Sequence, residues 1–251
     1  MESFAAASQV YAGGLIFARV AAIIMLLPGI GDSSVPPRIR LGFAFLMALM
    51  LMPVIARGMV VPGTVSGVGG AVIKEILIGL MIGGILRMFL SSLTATGEII
   101  SIQTTLAFAQ TAAPGQAAPS TTLGTFLGLI GVTLIMTTDL HHMFLTAIVR
   151  SYALFPFSRD VPVADSAQLA VQTVAGSFRL GLQLAAPVVV FSVIFNIAAG
   201  LVGRVMPQFQ VFFVVTPLIV LFGLSIFALS LGVIGMAWLN RYRELASLFL
   251  G

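Results

Sequence analysis

Of 251 residues, 59% are apolar and only 8% charged, with a mean hydropathy of +1.13, whereas about a quarter of an ordinary soluble domain is charged. That composition excludes a water-soluble globule and defines an integral membrane protein, and a formal charge of +4 spread over scattered arginines with one lysine, Lys74, forms no nucleic-acid surface. The absence of cysteine excludes disulfides, thiolate nucleophiles and thiolate-bound metals.

Met1 to Gln9 carries Glu2 and no Lys or Arg, so it lacks the basic flank of a cleaved signal peptide, and the first apolar run, Val10 to Ile30, is expected to remain as a helix. Arg19 falls near the middle of that run, where a charge costs roughly 2.5 to 3.5 kcal/mol on insertion scales, so it should face a partner helix or a polar seam. Gly31 to Pro37 is a dense turn signal, and Arg38 and Arg40 open the next run, Ile39 to Ala56. The two runs read as a helical hairpin with a basic turn. Arg57 to Gly70 reads as a loop, and Ala71 to Leu90 as a third helix with Lys74 and Glu75 near its start. Adjacent residues on a helix point apart, so those two are not expected to pair, and Lys74 is read as an interfacial anchor.

Thr94 to Thr122 interrupts the apolar pattern with small neutral residues, and its one charge is Glu98. Pro114, Gly115 and Pro119 free backbone groups that hydrocarbon cannot satisfy, so the stretch is expected to be buried in protein, to line a wet cavity or to lie outside the bilayer. An exposed loop of this length usually carries Lys, Glu or Asp. Neutrality suits the wall or stopper of a passage, and the bland alternative is an extramembrane loop.

Leu123 to Val149 is apolar apart from Asp139, His141 and His142. Two neighbouring His diverge on a helix and the chain has no third, so interfacial or packing roles are favoured over a metal site. Ser151 to Ala175 is the most polar linker. Gly176 to Arg204 and Phe209 to Leu239 are long apolar arms joined at Val205 to Gln208, the second about 46 Å long if helical against a hydrocarbon core of about 30 Å. It must kink, tilt or extend beyond the bilayer, with Pro187 and Pro217 as kink sites. The glycine pairs Gly79/Gly83 and Gly124/Gly128 suit close helix packing.

The chain is therefore an all-α membrane protein of about six apolar runs arranged as helical hairpins around an irregular, plug-like central segment. It is one unit of three parts: hairpins over 10–93, the plug-like segment over 94–122, and helices with a long hairpin over 123–251. Arginine counts outside the runs favour cytoplasmic termini only slightly, six against four. No metalloprotease motif, phosphate loop, paired carboxylates or nucleophile elbow frames a catalytic site, so an enzyme is not expected, and no cofactor is implied.

The motifs, in order, resemble the FliR family, the R-type core subunits of the flagellar protein export gate, whose relatives serve injectisomes. The likeness begins at Pro28 to Pro53, with Pro36, Arg38 and Arg40 in the turn, and continues through Gly97-Glu98, Gln103, Phe108 and Pro114-Gly115. It then takes in His141, Ser151 and Pro156, and ends on Arg204-Val-Met-Pro-Gln-Phe-Gln-Val-Phe with Pro217 and Gly223. Ala113 stands where the family has Asp, and Asp139-Leu140 where it has Asn-Gly.

The resemblance implies a subunit of a helical assembly in the bacterial inner membrane, at the flagellar basal body, with P-type and Q-type subunits and with FlhB-type and FlhA-type gate proteins as partners. Unfolded proteins would be the cargo. It implies a plug over Phe108 to Thr122, drawing on Phe108, Gln110, Pro114, Gly115, Gln116 and Pro119. Arg19, Pro36, Arg38, Arg40, Gly97, Glu98, Gln103, His141, Arg204, Pro207, Gln208, Phe212 and Pro217 would make structural or subunit contacts, with Glu98 or another subunit's carboxylate as the partner of Arg19. An injectisome subunit, a stand-alone transporter and a membrane enzyme using Asp139, His141 and His142 are the alternatives.

Overall fold

The computed structural model describes residues 2–32, 34–56, 64–111, 121–157, 163–206, 208 and 210–247. Among them every regular element is a helix: α1 Glu2–Leu26, α2 Pro37–Ile55, α3 Val65–Gln103, α4 Leu106–Thr111, α5 Thr122–Thr137, α6 Leu140–Leu154, α7 Val163–Val205 and α8 Val211–Ser247. Five are long and apolar enough to cross a membrane, and α5 with α6 makes a sixth if that broken pair counts as one span. The hydropathy pattern thus yields the expected all-α class.

Element lengths depart from the sequence reading in one direction. α3 has 39 residues, about 58 Å, and α7 has 43, about 64 Å, both far beyond a hydrocarbon core of about 30 Å. α3 begins at Val65 and runs on through Thr94 to Gln103, so the first ten residues of the central stretch are helical. α7 begins at Val163 and absorbs the second half of the polar linker. The cause is the same at both places: Ser and Thr carry polarity without breaking a helix, because their hydroxyls bond back to carbonyls one turn earlier, and Ala and Gln are compatible with a helix interior. Thr96 does so to Ser92 and Thr173 to Leu169.

The chain forms two compact units, Met1–Met88 with Asp139–Val174 and Glu244–Gly251, and Phe89–Thr138 with Ala175–Arg243. In the first, α1 and α2 pack as the expected hairpin, with Phe17 edge-on to Phe45 at 6.1 Å. Its turn is shaped by Gly29, at φ 83, whose amide donates to Asp32, a backbone conformation that glycine adopts without steric cost. Pro36 caps α2, with Pro37 in its first turn, where a missing N–H is harmless. Arg40 donates to the carbonyl of Gly31 at 2.9 Å and Arg38 is exposed.

Helix association in lipid gains little from apolar burial and depends on close packing and internal hydrogen bonds. Both glycine pairs serve that purpose. A Cβ on Gly79 would lie 2.6 Å from Ala22 Cβ and from the Arg19 carbonyl, and one on Gly83 2.9 Å from Leu26 Cβ, so α1 and α3 meet backbone to backbone. In the second unit, Gly124 and Gly128 face Thr94 and Glu98 on α3, and Gly97 faces the Leu123 carbonyl. The same unit buries Trp238 and Tyr242 completely. Trp238 stacks 4.9 Å from Tyr242 and donates from Nε1 to Ser92 Oγ at 3.1 Å. α7 and α8 close as a hairpin, with Phe191 and Phe222 at 6.2 Å, and Pro187 and Pro217 lie inside these helices.

Candidate functional site

The first unit is organised around Arg19, which is fully buried. Its Nε donates to Glu75 Oε2 at 2.6 Å, Nη1 to the Ser151 carbonyl at 2.9 Å and Nη2 to the Phe155 carbonyl at 2.8 Å. The Tyr152 ring lies under the guanidinium at 4.2 Å, and the Tyr152 hydroxyl donates to the Ile16 carbonyl. Arg19 therefore caps the C-terminal end of α6, where Pro156 stops the helix and leaves carbonyls without intrahelical partners. Lys74 continues the arrangement by donating to the Phe157 carbonyl at 2.9 Å. The partner of Arg19 is Glu75, not Glu98, and Lys74 holds a neighbouring segment rather than standing only as an anchor. Sequence reasoning missed Glu75 because it placed the helix start at Ala71. With the start at Val65, Glu75 lies three turns in, where a carboxylate needs a counter-charge.

In the second unit, chemistry collects where α3 ends. Gln103 Oε1 accepts from Ser192 Oγ at 2.6 Å, and Asn196 donates to the same hydroxyl at 3.5 Å. Thr104 is fully buried and bonds back to the Ile100 carbonyl at 2.9 Å. Thr105 follows at φ 59, α4 starts at once, and Phe108 on it is 70% exposed. Gln103, a residue the resemblance marks, makes this hydrogen bond within the chain; Thr104, Thr105, Ser192 and Asn196 carried no sequence signal. Pro114, Gly115, Gln116, Pro119 and Pro207 lie outside the described residues, as do the side chains of Gln110 and Phe212.

Elsewhere the expected residues scatter. Gly97 is buried against α5 and Glu98 is half-buried beside Gly124. Arg204, Gln208 and Pro217 are exposed on the long hairpin. Asp139, at φ 59, opens α6 and lies 3.7 Å from His142 Nδ1. Asp139, His141 and His142 each bring one ligand atom within 4.8 Å of the others, the two imidazole rings of neighbouring α6 residues lying 4.2 Å apart. Two of the three are exposed. No described constellation activates a nucleophile.

Long apolar helices around a buried Arg19–Glu75 pair, with polar side chains bonded at helix contacts, define a multi-helix membrane protein. The family model for bacterial export proteins, family 1, matches residues 10–245. The flagellar biosynthetic protein FliR of Caulobacter vibrioides is 60% identical over 250 residues, covering 99% of this chain and all of that protein. FliR of Escherichia coli is 28% identical over 92% of this chain and 88% of its own length, and FliR of Bacillus subtilis 27% over 81% and 80%. The chain belongs to this family of bacterial export proteins, the FliR family of flagellar export subunits.

Proposed function

We propose that this chain is a core structural subunit of the flagellar type III export gate in the bacterial inner membrane. With P-type and Q-type subunits it lines the passage for unfolded flagellar proteins, and FlhB-type and FlhA-type proteins adjoin it. The observation that carries the flagellar branch is the likeness to the Caulobacter flagellar protein along its whole length. The long hairpin supports membership in an assembly, because α7, with 43 residues, is about twice the length that a hydrocarbon core of about 30 Å needs, and apolar side chains beyond the lipid need a protein covering. Phe108 to Thr122 is the segment that closes the passage, supported by its neutrality, its Pro and Gly content and the exposure of Phe108.

Chromosomal deletion should abolish motility and flagellar export, and the plasmid-borne chain should restore both; retained flagella with lost effector secretion would assign the chain to an injectisome. Arg204→Leu should reduce co-purification with P-type and Q-type subunits, and normal assembly in that variant would remove the hairpin turn from the interface. Deleting Ala109 to Ala118 should leave the gate assembled yet leaky to small ions. A tight membrane with ordinary export after that deletion would mean the segment plugs nothing.

A further inference from the structure

α3 stops at Gln103 without a Pro or Gly to stop it. Instead the chain turns through Thr105 at φ 59, a left-handed conformation that costs an L-residue about 1–2 kcal/mol and is rarest for β-branched side chains. Nothing in the local sequence favours that turn, so the surroundings must impose it. Two contacts do. Gln103 is held by Ser192 on α7, and Thr104 presses its methyl group into α8 at Gly223, where a Cβ would lie 2.5 Å from Thr104 Cγ2. The Thr104 hydroxyl is meanwhile committed to its own helix, to the Ile100 carbonyl. The Thr105 carbonyl then accepts from the Phe108 amide at 3.2 Å, which carries the imposed direction into α4.

We propose that Gly223 is a socket for the Thr104 methyl group, and that this contact, with the Gln103–Ser192 hydrogen bond, fixes the root from which the Phe108 segment projects. These are positioning residues: they act through the backbone turn at Thr105, and they set where Phe108 stands. The inference rests on the reading of that segment as the closure of the passage only for its physiological consequence, since the contact itself is measurable separately.

The test uses the steric pair. Gly223→Ala should displace Thr104, because side-chain and backbone shifts are the only relief at that separation. Thr104→Ser removes Cγ2 and keeps the hydroxyl; the nearest Thr104 atom to the new Cβ is then its own Cβ, at 3.6 Å, an ordinary van der Waals contact. The double variant should therefore recover what Gly223→Ala loses, a coupling that general destabilisation does not produce. Because the chain has no cysteine, Phe108→Cys and the exposed Leu229→Cys can carry a nitroxide pair in the assembled gate. Gly223→Ala should shift or broaden the distance distribution, Gly223→Ala/Thr104→Ser should return it, and ion leak in cells should rise severalfold and fall back in parallel.

An unchanged distance in Gly223→Ala overturns the socket even if the gate leaks, as does a shift that Thr104→Ser leaves uncorrected. A shift that reverts while the Ala109 to Ala118 deletion stays tight upholds the socket and removes the plug. If Gly223→Ala fails to assemble, Ser192→Ala, which cuts the hydrogen bond and adds no bulk, should produce the same shift in smaller measure; no shift there overturns the proposal too.

Discussion

Arg19 and Trp238 are each fully buried, yet the regions around them are held by opposite means. Around Arg19 a single charge gathers a carboxylate from α3 and two carbonyls and an aromatic face from the end of α6. Around Trp238 the partners are uncharged: Ser92, Phe89 and Tyr242 join it through an indole N–H shared between the Ser92 hydroxyl and the Phe89 carbonyl, and through neighbouring rings. Specificity is concentrated at the charge. A buried ion pair loses several kcal/mol when one member goes, because the survivor is left charged and unpaired. A ring cluster loses contact area in proportion to what is removed.

The largest loss is therefore expected at Arg19. Arg19→Ala should destabilise by about 3–5 kcal/mol, strands the Glu75 carboxylate and uncaps α6. Arg19→Lys should lie between, since a point charge cannot span Glu75 and both carbonyls. Arg19→Met/Glu75→Leu should be more stable than either single variant, because it removes both charges together. Thermal melting of the purified gate, with expression level alongside, ranks the four proteins. A double variant no better than Arg19→Ala would mean that the carbonyl capping, not the ion pair, is what Arg19 supplies.

Trp238→Phe sharpens the other side. It keeps most of the ring area and loses the N–H that Ser92 and the Phe89 carbonyl share, so about 0.5–1.5 kcal/mol is expected. A loss as large as that of Arg19→Ala would dissolve the distinction between the two regions.

The same contrast explains what was legible in the sequence. A charge in an apolar run announces that it needs a partner, so Arg19 was readable as buried and paired, and the glycine pairs were readable as contacts. The identity of the partner was not, because Glu75 looked like a helix-start residue until Val65–Gln103 proved to be one helix. Around the second unit the signal fails for a different reason. Thr96, Thr104 and Ser92 satisfy themselves on their own helix, so hydroxyls that also hold Gly181 or Trp238 read the same as hydroxyls that hold nothing. The turn at Thr105 was invisible because its strain comes from α7 and α8, distant in sequence. Run lengths erred toward shortness because hydropathy marks where a helix is apolar, not where it ends.

Gly79 and Gly84 refine this within one helix. A Cβ at Gly79 meets Ala22 and the Arg19 backbone, whereas nothing lies within 4 Å of one at Gly84. Gly79→Ala should force α1 away and cost about 1–3 kcal/mol. Gly84→Ala should be neutral or stabilise by about 0.4–1 kcal/mol through lost chain entropy. Equal melting of the two variants would show that the Arg19 region does not depend on close α1–α3 approach.

Asp139 carries the smallest expected effect and separates backbone from charge. Its φ of 59 is tolerated by Asn and Gly but penalised by about 1–2 kcal/mol per residue for others, most for β-branched side chains. Its exposed contact to His142 contributes little, while its carboxylate at the start of α6 favours the helix dipole by about 0.3–1 kcal/mol. Asp139→Asn and Asp139→Gly should therefore stay within about 1 kcal/mol of the parent, and Asp139→Val should fall below both. If Asn and Gly lose as much as Val, the carboxylate rather than the turn is what this position provides, and the convergence of Asp139 with His141 and His142 becomes its reason for being there.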